Sequence, residues 1–211
     1  CNGEATGAID ITVVGGTNPY TYSWVASNGG SLGSNLATAD DLINLTAGDY
    51  TCTVTDLNGC QETHSVSVSQ PAAPLSASSV VTAVACNGEA TGAIDITVVG
   101  GTNSYTYSWV VSNGGTLGSN LATAEDLAGL TAGDYTCTFT DAEGCQETHT
   151  VTITQPSGLS ATSVLTNYNG YNVSCYGNND GAIDITVVGG TNPYTYSWVA
   201  SNGGSLGSNL A

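Results

Sequence analysis

Ala93-Ile94-Asp95-Ile96-Thr97-Val98-Val99 alternates apolar and polar side chains, and Tyr105-Thr106-Tyr107-Ser108-Trp109 repeats the alternation with aromatic residues. A strand carries successive side chains to opposite faces, so Ile94, Ile96 and Val98 share one face while Asp95 and Thr97 take the other. Tyr105, Tyr107 and Trp109 align in the same way, with Thr106 and Ser108 opposite. Downstream, Tyr135, Cys137 and Phe139 stand inward against a threonine stripe in Asp134–Thr140, and Val151 and Ile153 do so in Thr148–Thr154. Gly-Gly, Asn-Gly and Ala-Gly-Asp punctuate these runs. The pattern predicts an all-β fold of short strands, each with one core face and one solvent face.

The same text recurs along the chain. Gly7–Ala37 reappears letter for letter as Gly181–Ala211, and Gly92–Ala122 repeats it with three changes. Cys1–Pro71 aligned with Cys86–Pro156 is identical at 58 of 71 positions, a period of 85 residues. Such a period marks an array of equivalent modules. Proline cannot donate to a sheet ladder, so Gln70-Pro71 and Gln155-Pro156 close modules. The expected units are therefore 1–71, a repeat without its first strand; 72–156, a complete repeat opened by a strand within Leu75–Ala85; and 157–211, the N-terminal half of a third. The third unit has a longer lead, 19 residues from Pro156 to Cys175 against 15 from Pro71 to Cys86, which includes Asn167–Val173. Units missing strands expose unpaired edges that a neighbour is expected to complete. The chain begins and ends within a repeat and is expected to be a window on a longer one.

Composition closes several function classes. The 211 residues contain no Lys, Arg or Met, and 17 carboxylates set a formal net charge of −17. Phosphate neutralisation needs Lys or Arg, so nucleic acid is excluded as a partner, and anionic membrane surfaces are disfavoured on the same ground. Lysine-based Schiff-base and phosphate-loop chemistry are closed as well. No apolar run is long enough to span a bilayer. The polar residues are mostly Thr, Ser and Asn on solvent faces, and no nucleophile, base and orienting group converge in the sequence. The chain is not expected to be an enzyme.

Seven cysteines at repeating positions, only two histidines and no Cys-x-x-Cys pair point to disulfides in an oxidising compartment rather than to zinc. The favoured pairing lies within a module, Cys1 with Cys60 and Cys86 with Cys145. Each bridge would close a loop of about 60 residues and contribute roughly 4 kcal/mol on the chain-entropy model. A Cys52–Cys60 bridge is the lesser alternative, because the turn Asp56-Leu57-Asn58-Gly59 sets other residues opposite them. Cys52 and Cys137 then remain as inward thiols behaving as small hydrophobes, and Cys175 needs an external partner. Trp24, Trp109 and Trp198, with Tyr50 and Tyr135, are the expected core centres. His64 and His149 read as strand residues, not metal ligands. Asp56 with Asn58, or Glu89 and Asp95 beside Asn87, offer oxygen ligands for calcium, but their spacing matches no dedicated loop. No cofactor is expected; a solvated acidic face is the simpler reading. Asn44-Leu45-Thr46 and Asn172-Val173-Ser174 permit glycosylation.

Cys-Asn-Gly, Gly-Ala-Ile-Asp-Ile-Thr-Val, Gly-Gly-Thr-Asn-Pro-Tyr-Thr-Tyr-Ser-Trp, Leu-Thr-Ala-Gly-Asp-Tyr and Asp-Leu-Asn-Gly-Cys, closed by Gln-Pro, together resemble the SprB-type repeat of Bacteroidota surface adhesins. The likeness covers almost the whole chain, with Asn167–Val173 outside it. It implies tandem immunoglobulin-like β-sandwiches in an exported, extracellular cell-surface protein connected with gliding motility, acting as a stalk rather than a binding tip. By the same resemblance Cys1, Cys60, Cys86 and Cys145 stand at the family's recurrent cysteines, whereas Cys52 and Cys137 occupy positions where valine is more usual, which keeps the bridge assignment open. The expected function is a structural, disulfide-stabilised spacer whose partners are neighbouring repeats or copies of itself. The alternatives are a self-assembling filament with strands donated between chains, and a module that binds glycans through Tyr20, Tyr22 or their copies, or that binds calcium.

Overall fold

The computed structural model describes residues 1–206. The last five residues expected in the third unit, 207–211, lie outside the described residues. The first module contains β1 (Gly7–Ile9), β2 (Thr21–Ser27), β3 (Leu42–Leu45), β4 (Gly48–Thr55) and β5 (Gln61–Val68). The second contains β6 (Ser76–Thr82), β7 (Gly92–Val99), β8 (Thr106–Ser112), β9 (Leu127–Leu130), β10 (Gly133–Thr140) and β11 (Gln146–Ile153). The third contributes β12 (Ser160–Leu165) and β13 (Ile183–Val188). Among the described residues there is no helix.

The second module is a two-sheet sandwich. One sheet has the order β6-β7-β9 and the other β11-β10-β8, all antiparallel. Ile94 and Ile96 of β7 with Leu127 and Leu130 of β9 share one buried cluster with Trp109, Tyr135, Cys137, Phe139, Val151 and Ile153 of the opposite sheet. This is the alternation of the sequence converted into an inner face. Two polar tips inside that core are satisfied: Trp109 Nε1 donates to Ala124 O at 2.9 Å, and Tyr135 Oη donates to Thr131 O at 2.8 Å while accepting from the Thr116 amide at 3.1 Å. A tyrosine bonded to the backbone four residues upstream, two residues before a strand cysteine, is the tyrosine corner of immunoglobulin-like sandwiches. The first module repeats both anchors, Trp24 Nε1 to Ala39 O at 2.9 Å and Tyr50 Oη to Thr46 O at 2.7 Å.

The strands fix two ends of a module. β6 runs from the head to the tail, β7 returns, β10 climbs to the head and β11 descends to Gln155-Pro156 at the tail. At the head, Gly101 N donates to Ala73 O at 3.0 Å, and Gly100, at φ +79°, approaches so closely that a Cβ there would lie 1.9 Å from Pro74 O. The third module opens in the same manner: Gly190 N donates to Ser157 O at 2.8 Å, and a Cβ on Gly189 would lie 2.0 Å from Gly158 O.

The flanking modules are open where the second is closed. In the first, β2-β4-β5 forms a full sheet, but β1 is only three residues long and pairs with β3 alone. In the third, β12 pairs with β13 from Ser160↔Val188 to Leu165↔Ile183. Trp198, expected in a core, is 44% exposed there, because no counterpart of β10 lies over it among the described residues. The Asn167–Val173 segment folds into a tight turn closed by reciprocal backbone bonds between Tyr168 and Tyr171.

Candidate functional site: the module junction

Each Cys-Asn-Gly turn is clasped to the tail of its own module. Asn2 Nδ2 donates to Pro71 O at 2.7 Å and Gly3 N donates to Gln70 Oε1 at 2.6 Å. The second copy is held identically, with Asn87 Nδ2 to Pro156 O at 3.0 Å and Gly88 N to Gln155 Oε1 at 2.7 Å. The Gln-Pro pair thus both ends the last strand and fixes the cysteine turn beside the next module.

At the opposite end, an aspartate organises the β10–β11 hairpin. Asp141 Oδ1 accepts from Glu143 N at 3.0 Å and Cys145 N at 2.8 Å, and Oδ2 accepts from Thr102 N at 2.9 Å. The Thr102 amide first, helped by those of Cys145 and Glu143, outweighs desolvation and holds Asp141 below the usual carboxylate range. Asp56 does the same for Asn58, Cys60 and Thr17, its acidity strengthened first by the Cys60 amide. These carboxylates close loops with their own backbone, and among the described residues no group of three His, Cys, Asp or Glu is placed to hold a metal. The other calcium candidates do not converge: Asn87 is engaged with Pro156, and Asp95 is exposed on the outer face of β7.

The two ends meet in a disulfide across the module boundary. Cys1 bonds to Cys145, with Cα atoms 5.4 Å apart. The expected pairs, Cys1–Cys60 and Cys86–Cys145, are replaced for a geometric reason. Cys86 sits at the tail of its module and Cys145 at the head, separated by the eight residues of β7, roughly 25 Å of strand, where a bridge needs Cα atoms within about 7 Å. Cys60 and Cys86 are exposed thiols, as is Cys175. Cys52 and Cys137 are buried thiols whose pKa burial pushes up, so both stay protonated.

The other singled-out side chains are also occupied structurally. His149 shares a 2.9 Å hydrogen bond with Ser79 of β6, whereas its counterpart His64 is exposed. Tyr107 donates to Glu125 Oε1 at 2.8 Å; burial, and secondly that carboxylate, push its pKa upward. Tyr22, its copy in the first module, is shifted the same way, by burial first and then by Asp40. On the first module, Ile11, Val13, Val66, His64, Tyr20 and Cys60 line an open groove of about 550 Å³ along the side that β6 covers in the second.

The fold and junction define a class: tandem immunoglobulin-like sandwich repeats coupled end to end. The SprB repeat family model matches residues 1–30, 78–116 and 168–204, which together make up half of the chain. The chain belongs to the SprB repeat family. No curated protein sequence matches it. Among solved structures it is similar to the amphioxus IgVJ-C2 molecule, at 14% identity and TM-score 0.33, with 72% of this chain and 98% of that chain covered. It is also similar to extracellular domains 3–5 of Drosophila OTK, at 15% identity and TM-score 0.34, with 64% and 51% covered.

Proposed function

We propose that this chain is a non-catalytic stalk segment of an extracellular cell-surface adhesin of the gliding-motility type, a spacer that sets how far an adhesive end projects. The observation that carries this reading is the covalent bond from Cys1 to Cys145, which transmits tension from one module's tail to the next module's head without relying on the Pro71 linker alone. An oxidising, extracellular compartment suits such a bond. The loop-closing roles of Asp141, Tyr135 and their copies support a structural use of the polar groups, and the proposal requires no cofactor, nucleic acid or membrane contact. Deleting one 85-residue repeat from the natural gene should shorten the projection seen by negative-stain microscopy by one module and leave adhesion intact. Loss of adhesion at unchanged length would overturn the stalk.

The groove on the first module favours a second reading, a filament in which a strand equivalent to β6 is donated by another copy of the chain. Light scattering over a wide concentration range tests it. A strictly monomeric protein would eliminate the donated strand.

A further inference from the structure

We propose that the bond between Cys1 and Cys145 is one rung of a ladder, with the cysteine of every Cys-Asn-Gly turn bonded to the hairpin cysteine of the module that follows it. The inference concerns the linkage between repeats and holds whether they serve a stalk or a filament.

Both halves of the rung are built twice. Cys86 is presented as Cys1 is, on a turn clasped by the carbonyl of a module-closing proline and the side chain of the preceding glutamine. Cys60 is presented as Cys145 is: its amide donates to Asp56 Oδ1 at 2.8 Å, and its carbonyl accepts from Asp56 N at 2.9 Å, against 2.8 and 3.0 Å for Cys145 and Asp141. The seat is repeated too. At the first junction Cys1 shares a cleft with Thr102 and Glu143 of the second module. At the second, Cys86 and Asn87 face a cleft of about 690 Å³ with Thr191, the third-module copy of Thr102. Among the described residues, the place beside Cys86 where an Asp-x-x-Gly-Cys hairpin would sit is a framed cleft. Its thiol is exposed, as is that of Cys60 at the head of the first module, whereas Cys145, seated against Cys1, is buried.

The occupant is therefore the hairpin of the adjoining third module, as the second module's hairpin is for Cys1. In closing each rung, two S–H bonds break and one S–S bond forms. The two electrons and two protons pass by thiol–disulfide exchange to a disulfide-bearing oxidant, which leaves as a dithiol.

The test uses alkylation of free thiols followed by peptide mapping with a Glu-specific protease, since the chain has no Lys or Arg for trypsin. In the 211-residue chain, Cys145→Ser should free Cys1 and leave the state of Cys86 unchanged, and Cys60→Ser should leave Cys1 bonded. Release of Cys86 by the first change, or of Cys1 by the second, would restore pairing within modules and overturn the ladder. A second protein, with Thr123–Pro156 repeated after Ala211, supplies the third module's hairpin. Cys86 should then lose its reactivity and map to the added copy of Cys145 within one chain; a bond between chains would overturn the rung between adjoining modules. A Cys86 that stays reactive, or an added cysteine bonded to Cys175 in its own module, would contradict the proposal.

Discussion

The first and second modules are the same text at 58 of 71 aligned positions, yet they differ wherever a neighbour is needed. Gly92–Val99 is an eight-residue strand between β6 and β9, whereas in its copy Gly7–Val14 only Gly7–Ile9 is strand, and Val14 is 88% exposed. Ile96, Val151 and Ile153 are buried; their copies Ile11, Val66 and Val68 are only half-buried. Cys145 and Asp141 are buried where the preceding module sits on them, and Cys60 and Asp56 are not. The side away from the lead strand is alike in both: Trp24 and Trp109, Tyr50 and Tyr135, and Cys52 and Cys137 are all buried. In these two copies, then, the sheet carrying β4 or β10 forms alike, and the opposite sheet is complete only where a lead strand, β6 in the second module, pairs along it.

That contrast can be broken by experiment. The largest effect is expected from reducing Cys1–Cys145, which spans 144 residues; a loop of that size contributes up to about 5 kcal/mol on the chain-entropy model. Calorimetry should show the loss in the first module's transition more than in the second's, since only the second has both sheets closed. Next, Ile96→Ala removes a buried side chain and should cost about 2–5 kcal/mol, while Ile11→Ala, already facing the groove, should cost less than about 1 kcal/mol. Equal costs in denaturant unfolding would mean that the lead-strand side is closed in both modules. Tyr135→Phe and Tyr50→Phe should each cost about 0.5–1.5 kcal/mol, because each removes hydrogen bonds to a part-buried amide and carbonyl on the side common to both modules.

The smallest expected effect is on pH dependence. Asp134 is held below the usual carboxylate range by Thr152 and then Asn113, and Asp49 by Ser67 and then Asn28. Their folded pKa values lie below the unfolded ones, so their stabilisation is complete above about pH 4 and is lost as pH falls through the folded values. Acid titration followed by circular dichroism should show the same onset in both modules, and Asp134→Asn should blunt it in the second only.

Much of this was legible in the sequence. Alternation in Ala93–Val99 and Asp134–Thr140 located strands and inward faces, because a period of two leaves little freedom once one face is apolar. β5 ends at Val68 and β11 at Ile153, each just before a Gln-Pro pair whose proline has no donor for a ladder. The pairing expected within each module treats it as a closed unit, whereas Cys1–Cys145 crosses from one module to the next. The strand order held the correction: Cys86 precedes β7 and Cys145 follows β10, and antiparallel strands of that order leave the two at opposite ends. Trp198 has the text of Trp24 and Trp109 but no counterpart of β10 over it among the described residues, and the local pattern does not report that difference. The tie from Thr102 to Asp141 and the glutamine clasp depend on contacts 39 and 67 residues apart in sequence, which no local pattern reports.

The central claim is that Ile96–Val99 and its copy Ile11–Val14 differ because the lead strand β6 pairs along the first, and amide hydrogen exchange on the 211-residue chain tests it most directly. The account predicts slow exchange through Ile96–Val99 beside β6 and fast exchange through Ile11–Val14, with β4 and β10 equally protected. Matching protection of Ile11–Val14 and Ile96–Val99 would contradict it.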